Sequence, residues 1–145
     1  MFEVKLVGEE TFSFTSPGEP VINILSGRLR TWLLEKAMDK VIDLTFPEQP
    51  LDEIVQMHGL EAPRMKSMTL FEAQEPVIVG LQPTGTHILI DGGHRRWFWA
   101  ARGQNVIRGW AVPTEVWSSF TFNPDDCVWA KHHADGSLLP QRRAR

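Results

Sequence analysis

The stretch Ile88-Leu89-Ile90-Asp91-Gly92-Gly93-His94-Arg95-Arg96-Trp97-Phe98-Trp99-Ala100-Ala101-Arg102-Gly103 decides how this chain is read. An apolar, strand-like run stops at an acid and two glycines. A His-Arg-Arg cluster follows, and an apolar-rich helix then closes on Gly103. The sequence is strand, tight turn, helix, with the polar chemistry concentrated in the turn. Glycines let a ligand approach the backbone closely. A helix start offers unpaired N–H groups and a positive dipole end. Two arginines add fixed charge and forked donors. Together these features predict an anion pocket, most simply for phosphate.

Outward from this stretch, Val77-Ile78-Val79-Gly80-Leu81 reads as a buried strand, and Pro83-Thr84-Gly85 as the hairpin turn that leads into His87. Thr69-Leu70-Phe71-Glu72 is a capping box that starts a short helix, which Pro76 ends by about Glu75. Val106 to Val112 is a further strand. Residues 60–67 read as a linker holding Pro63-Arg64, and residues 51–58 fit either helix or strand, with strand favoured. Leu29, Trp32, Leu33, Ala37 and Val41 recur at helical spacing and predict a helix over 28–42, with Ser26 as its N-cap. Phe2, Val4 and Leu6 alternate with polar residues, as does Thr11-Phe12-Ser13-Phe14-Thr15, and Gly8-Glu9-Glu10 reads as a hairpin turn between them. Residues 115–122 fit neither pattern clearly. The expected fold class is α+β, a small mixed β-sheet flanked by helices. One domain is expected over 1–125, with its core at about 60–115 and an N-terminal extension. A polar tail over 126–145 is expected to fray or pack loosely.

Bulk properties narrow the function. A chain of 145 residues is long enough for one core. No run approaches the roughly 18 apolar residues that cross a bilayer, and the N-terminus lacks a signal-peptide layout, so a cytoplasmic location without membrane partners is expected. The single cysteine, Cys127, permits no internal disulfide. It has no neighbouring cation to activate it and is expected to be inert. A net charge of −3 argues against a general nucleic-acid binder.

Several boxes together resemble the ParB/sulfiredoxin superfamily. Gly93-His94-Arg95-Arg96-Trp97-Phe98-Trp99-Ala100 is similar to the Gly-Glu-Arg-Arg-Trp-Arg-Ala box of ParB proteins. Asp91-Gly92-Gly93-His94-Arg95 fits the Asp-Gly-x-His-Arg form of small ParB-like proteins, free-serine kinases among them. Pro63-Arg64 matches the end of the family's upstream box, and Pro76-Val77-Ile78-Val79 its strand box. The likeness covers about residues 60–115. The sulfiredoxin cysteine is missing from the Gly-Gly-Cys-His-Arg position, and the helix between boxes is shorter than in ParB proper. The resemblance implies a nucleotide site: CTP in ParB, ATP in sulfiredoxin, ADP in the serine kinases, with Mg²⁺ as a candidate companion.

On that reading Gly92 and Gly93 admit the phosphates, and Arg95 holds them with the helix start. Arg96 lies roughly 100° around the helix from Arg95 and serves less directly. Arg64 clamps from across the pocket. Ser67 and Thr69 mark a second phosphate position at the next helix start, although Thr69 alone is more simply an N-cap. His94, which a helix start disfavours as a cation, donates to phosphate or takes a proton. Asp91 is the second candidate catalytic residue and the candidate Mg²⁺ ligand, with bracing of the loop as its alternative role. Trp97, Ala100 and Ala101, like Trp110 and Trp117, are expected in the core. His132, His133 and Asp135 lack a well-spaced third metal ligand. Arg142, Arg143 and Arg145 read as a solvated terminus. The leading function is a nucleotide-binding protein, as a nucleotide hydrolase or phosphotransferase. The alternatives are a ParB-like nuclease or DNA-binding accessory protein of a mobile element, and a degenerate member acting through a protein partner or a second copy of itself.

Overall fold

A computed structural model describes residues 3–6, 10–15, 18–123 and 129–132. The chain is mixed α/β, with small open sheets and helices beside them. It divides into two compact units, one of residues 37–114 and one of residues 1–36 with 115–145. No helix among the described residues is long and apolar enough to cross a membrane.

The unit 37–114 is built on a four-stranded sheet of β4 (Ile42–Thr45), β5 (Val77–Leu81), β6 (His87–Asp91) and β7 (Val106–Val112), in the order β4-β7-β5-β6. β5 and β7 run parallel, and the other two pairings are antiparallel. β5 is flanked by partners on both sides, which explains its near-continuous Val77-Ile78-Val79 apolar run. The β5–β6 hairpin closes where expected, with Gly85 N–H bonded to the Gln82 carbonyl. α5 (Gly93–Ala100) carries the chain from β6 back to β7. The core holds Ile54, Val77, Ile78, Ile90, Phe98, Ile107, Trp110 and Val112. The indole N–H of Trp110 donates to the Ala37 carbonyl at 2.8 Å.

Three sequence expectations for this unit are corrected. Residues 51–58 form a helix, α2 (Leu51–His58), not a strand. Pro50 precedes it, Asp52 and Glu53 occupy its first turn, and Gly59 ends it at φ 57°. Residues 62–67 form α3 (Ala62–Ser67) rather than linker, with Pro63 in its first turn. α4 (Leu70–Ala73) has the predicted capping box, in which Thr69 Oγ1 accepts from Glu72 N–H. The face of α5 also differs. Phe98, Arg95 and Arg96 are its buried residues, while Trp97 and Ala100 are half-buried and Ala101 is exposed. A reading that counts only apolar side chains cannot anticipate an inward face carrying two arginines.

In the other unit, β1 (Glu3–Leu6) pairs antiparallel with β8 (Trp129–His132), and β2 (Phe12–Phe14) with β3 (Ile22–Ile24). The first two strands therefore do not form the expected hairpin with each other, and part of the polar tail is a strand. Its longest helix among the described residues, α1 (Ser26–Lys36), buries Leu29 and Leu33, but leaves Trp32 38% exposed. The helix stops short of residue 42. The Ala37 carbonyl accepts instead from Lys40 N–H, in a 3₁₀ turn, and from Trp110. The stretch that was ambiguous, 115–122, contains α6 (Thr114–Trp117) and a 3₁₀ turn, and buries Trp117.

Candidate functional site

The β6-to-α5 turn is tightly built. β6 has an irregularity in its pairing with β5: Ile78 faces Asp91 and Val79 faces Leu89, so Ile90 is the extra residue. Such a bulge re-aims the residue that follows it. Gly92 sits at φ 117°, and a β-carbon there would fall 2.4 Å from Val77 Cγ1. A β-carbon on Gly93 would fall 3.0 Å from His58 Cβ and 3.1 Å from Leu60 Cδ2. The two glycines thus admit close approach, and the groups that make it are protein side chains from β5 and the end of α2.

Both arginines of the turn point inward. Arg95 is 7% exposed. Its Nη1 donates to the carbonyls of Pro76 at 2.6 Å and Glu75 at 3.1 Å. Its Nη2 lies 3.0 Å from Asp91 Oδ2, an ion pair without the alignment of a hydrogen bond. Arg96 is 5% exposed and donates from Nη2 to Gln49 Oε1 at 2.7 Å and the Pro47 carbonyl at 3.2 Å. Its guanidinium also lies over the Phe46 ring, 4.8 Å from the centroid. Burial pulls its pKa below the usual arginine value. Asp91 and Arg95 tie the turn to the start of β5, and Arg96 ties α5 to the segment after β4.

His94 faces a different neighbourhood. Its Nε2 accepts the backbone N–H of Glu61 at 3.1 Å. The lone pair is therefore on Nε2, and the proton of the neutral ring is on Nδ1. Burial lowers the pKa of His94, and the positive charge of Arg64 lowers it further, against an opposing contribution from Glu61. Burial and Arg64 thus both favour the neutral ring. Arg64 lies on α3 and is exposed. No hydrogen bond or ion pair to its guanidinium occurs among the described residues. Gly92, the N-cap of α5, supplies no side-chain cap.

Sequence reasoning missed His58, the last residue of α2. Its Nε2 is buried without a hydrogen-bond partner. Its pKa is lowered by burial first, then by Arg96 and His94. The signal was the Pro50 to Gly59 frame, which marks a helix whose last residue is a histidine. Ser67 Oγ donates within α3 to the Arg64 carbonyl, and Thr69 is taken up by its capping box. The structure thus gathers His94, Arg64 and His58 about the start of α5. Asp91, Arg95 and Arg96 serve as braces beneath it. No group of three His, Cys, Asp or Glu side chains able to hold a metal occurs among the described residues. Cys127, His133, Asp135, Arg142, Arg143 and Arg145 lie outside the described residues, and His132 is the last residue of β8.

Two histidines with lowered pKa values make stability pH-dependent. Below their ordinary value of 6.5 the unfolded chain binds more protons than the folded one. The contribution of both rings to stability is therefore fully present above pH 6.5 and is lost as pH falls through their folded values. Urea denaturation is expected to give a lower midpoint at pH 5.5 than at pH 7.5, and His58→Gln with His94→Gln is expected to reduce that difference. An equal pH dependence in the double variant would show that other groups dominate.

No family model, no curated protein and no solved structure matches this chain.

Proposed function

We propose that the chain binds a nucleotide through its phosphates at the start of α5, with Arg64 and His94 as the contacting side chains. The observation that carries this reading is Arg64: an exposed guanidinium with no partner among the described residues, close enough to His94 to depress its pKa, beside a helix start without a side-chain cap. An anion placed there meets a fixed charge, free N–H groups and the positive end of the α5 dipole. It also relieves the repulsion that Arg64 imposes on His94. With Nε2 occupied by Glu61 N–H, the imidazole presents Nδ1–H, so His94 acts as a phosphate donor rather than a base. Asp91 is held by Arg95, so a Mg²⁺ accompanying the nucleotide is carried by the phosphates themselves.

Thermal-shift measurements with ATP, ADP and CTP, each with and without Mg²⁺, test the proposal, because binding stabilises the folded state by mass action. At least one nucleotide is expected to raise Tm. Arg64→Ala is expected to weaken that nucleotide by about 1.5–3 kcal/mol, the worth of a charged hydrogen bond, and to leave unfolding in its absence unchanged. A shift that survives Arg64→Ala would move the site elsewhere. Salt-sensitive duplex DNA binding without any nucleotide response would replace the proposal with a nucleic-acid function.

A further inference from the structure

α3 is lightly anchored. None of residues 61–67 is buried, and only Met65 among them is half-buried. The Met65 N–H bonds the Glu61 carbonyl and the Met68 N–H the Arg64 carbonyl, so these bonds stay within the segment. Leu60 N–H is used upstream, on the Val55 carbonyl of α2. The backbone N–H of Glu61 crosses to α5, where His94 Nε2 accepts it at 3.1 Å. No other hydrogen bond joins residues 60–67 to α5 among the described residues. A segment with so little buried surface opens locally at low cost, so a single cross-bond carries weight.

That bond needs a lone pair. A neutral imidazole has one N–H and one lone pair, and an imidazolium has two N–H groups and none. A proton on Nε2 therefore sets a donor against a donor. A backbone carbonyl in the same place would accept at any pH, whereas an imidazole accepts only while neutral. The groups that act on the ring come from each neighbouring element. Glu61 favours the imidazolium, and Arg64 on α3 opposes it. His58, at the end of α2, interacts with His94 and has its own pKa lowered by it. On α5 itself, Arg95 is bonded to the Glu75 and Pro76 carbonyls, and Arg96 to Gln49 and the Pro47 carbonyl.

We propose that the Glu61–His94 hydrogen bond is a pH-operated latch: while the imidazole is neutral it holds the start of α3 on α5, and a proton on Nε2 opens it and frees α3 together with Arg64. Because burial and Arg64 lower the His94 pKa, opening falls on the acid side of pH 6.5. The latch involves no bound anion, so it stands or falls apart from the nucleotide proposal.

NMR on the full chain without added ligand tests the latch. His94 is followed through its ring C–H resonances, assigned with His94→Gln. Glu61 is followed through the protection of its amide from solvent exchange, corrected for the intrinsic pH dependence of exchange. As pH falls from 7.5, the Glu61 amide is expected to lose protection about tenfold, at the midpoint where His94 titrates. A scalar coupling across the N–H···N bond, between the Glu61 amide nitrogen and His94 Nε2, is expected at pH 7.5 and should vanish over the same transition. His94→Gln supplies an amide oxygen that accepts at every pH, so Glu61 is expected to stay protected throughout. His58→Gln is expected to retain the response, which assigns it to His94 rather than to its neighbour. Unchanged Glu61 protection across the His94 titration, or no coupling at pH 7.5, would overturn the proposal. So would a His94 ring that stays neutral down to the pH at which the chain unfolds. A response that persists in His94→Gln, or is lost in His58→Gln, would overturn it equally, because another group would then be operating the segment.

Discussion

Gly92→Ala is expected to destabilise the unit of residues 37–114 by about 4 kcal/mol, measured as a fall in the urea midpoint. Two penalties combine. Gly92 has φ 117°, which an L side chain adopts only under strain worth about 1–3 kcal/mol. The added methyl would also lie 2.4 Å from Val77 Cγ1 and 2.8 Å from Val77 Cβ. Val77 is fully buried on β5 and paired in register with Gly109 of β7, so it has little room to yield. Forcing a methylene into such packing costs about 1–3 kcal/mol more. The total is a large part of the 5–15 kcal/mol typical of a domain. Gly93→Ala is the internal comparison. Gly93 has no positive φ, and the nearest contact of its β-carbon is 3.0 Å, so its cost is expected to be smaller. Val77→Ala in the Gly92→Ala background removes the Cγ1 contact but keeps the Cβ at 2.8 Å, so it should recover only part of the steric cost and leave the backbone strain. A Gly92→Ala protein as stable as wild type would show that the turn does not have this geometry.

The same residues show what a sequence discloses and what it hides. The strand–turn–helix core was legible because its signals are local. The apolar run of β5, the Pro83-Thr84-Gly85 turn and the Thr69–Glu72 capping box each act within a few residues. That Gly92 and Gly93 permit close approach was also legible. Which atoms approach was not, because Val77 and His58 come from distant positions in the chain. α2 is ambiguous in sequence because its apolar spacing over eight residues is short, and Pro50 and Gly59 are the boundaries that mark it as a helix. The partners of β1 and β2 depend on residues far along the chain, which no local pattern specifies. Arginine was the hardest residue to place. Arg64, Arg95 and Arg96 look alike in sequence, yet one is exposed and two are buried on backbone carbonyls. That difference depends on the carbonyls of residues 47, 75 and 76 being turned toward α5.

Arg95→Ala provides the sharpest separation between bracing and binding. Arg95 and Asp91 have side chains only 8% and 18% exposed and lie 3.0 Å apart. Removing the guanidinium leaves the Asp91 carboxylate without its counter-charge and the Pro76 and Glu75 carbonyls without their donor. Breaking one side of a buried pair costs about 3–5 kcal/mol, and this variant is expected to lie in that range by urea denaturation. Arg95→Lys is expected to recover only part of it, because one ammonium cannot reproduce a fork that reaches two carbonyls and a carboxylate. Asp91→Asn should soften the loss. The double variant Asp91→Asn with Arg95→Ala is therefore expected to cost less than the sum of the two single changes, which measures the coupling directly. The contrast with Arg64 is the decisive comparison. Arg64→Ala is expected to change nucleotide affinity at constant stability, and Arg95→Ala to change stability first. A stable Arg95→Ala protein that had lost nucleotide binding would reverse these assignments: the guanidinium would then turn outward to the phosphate, and its inward bonds would not be what holds the turn.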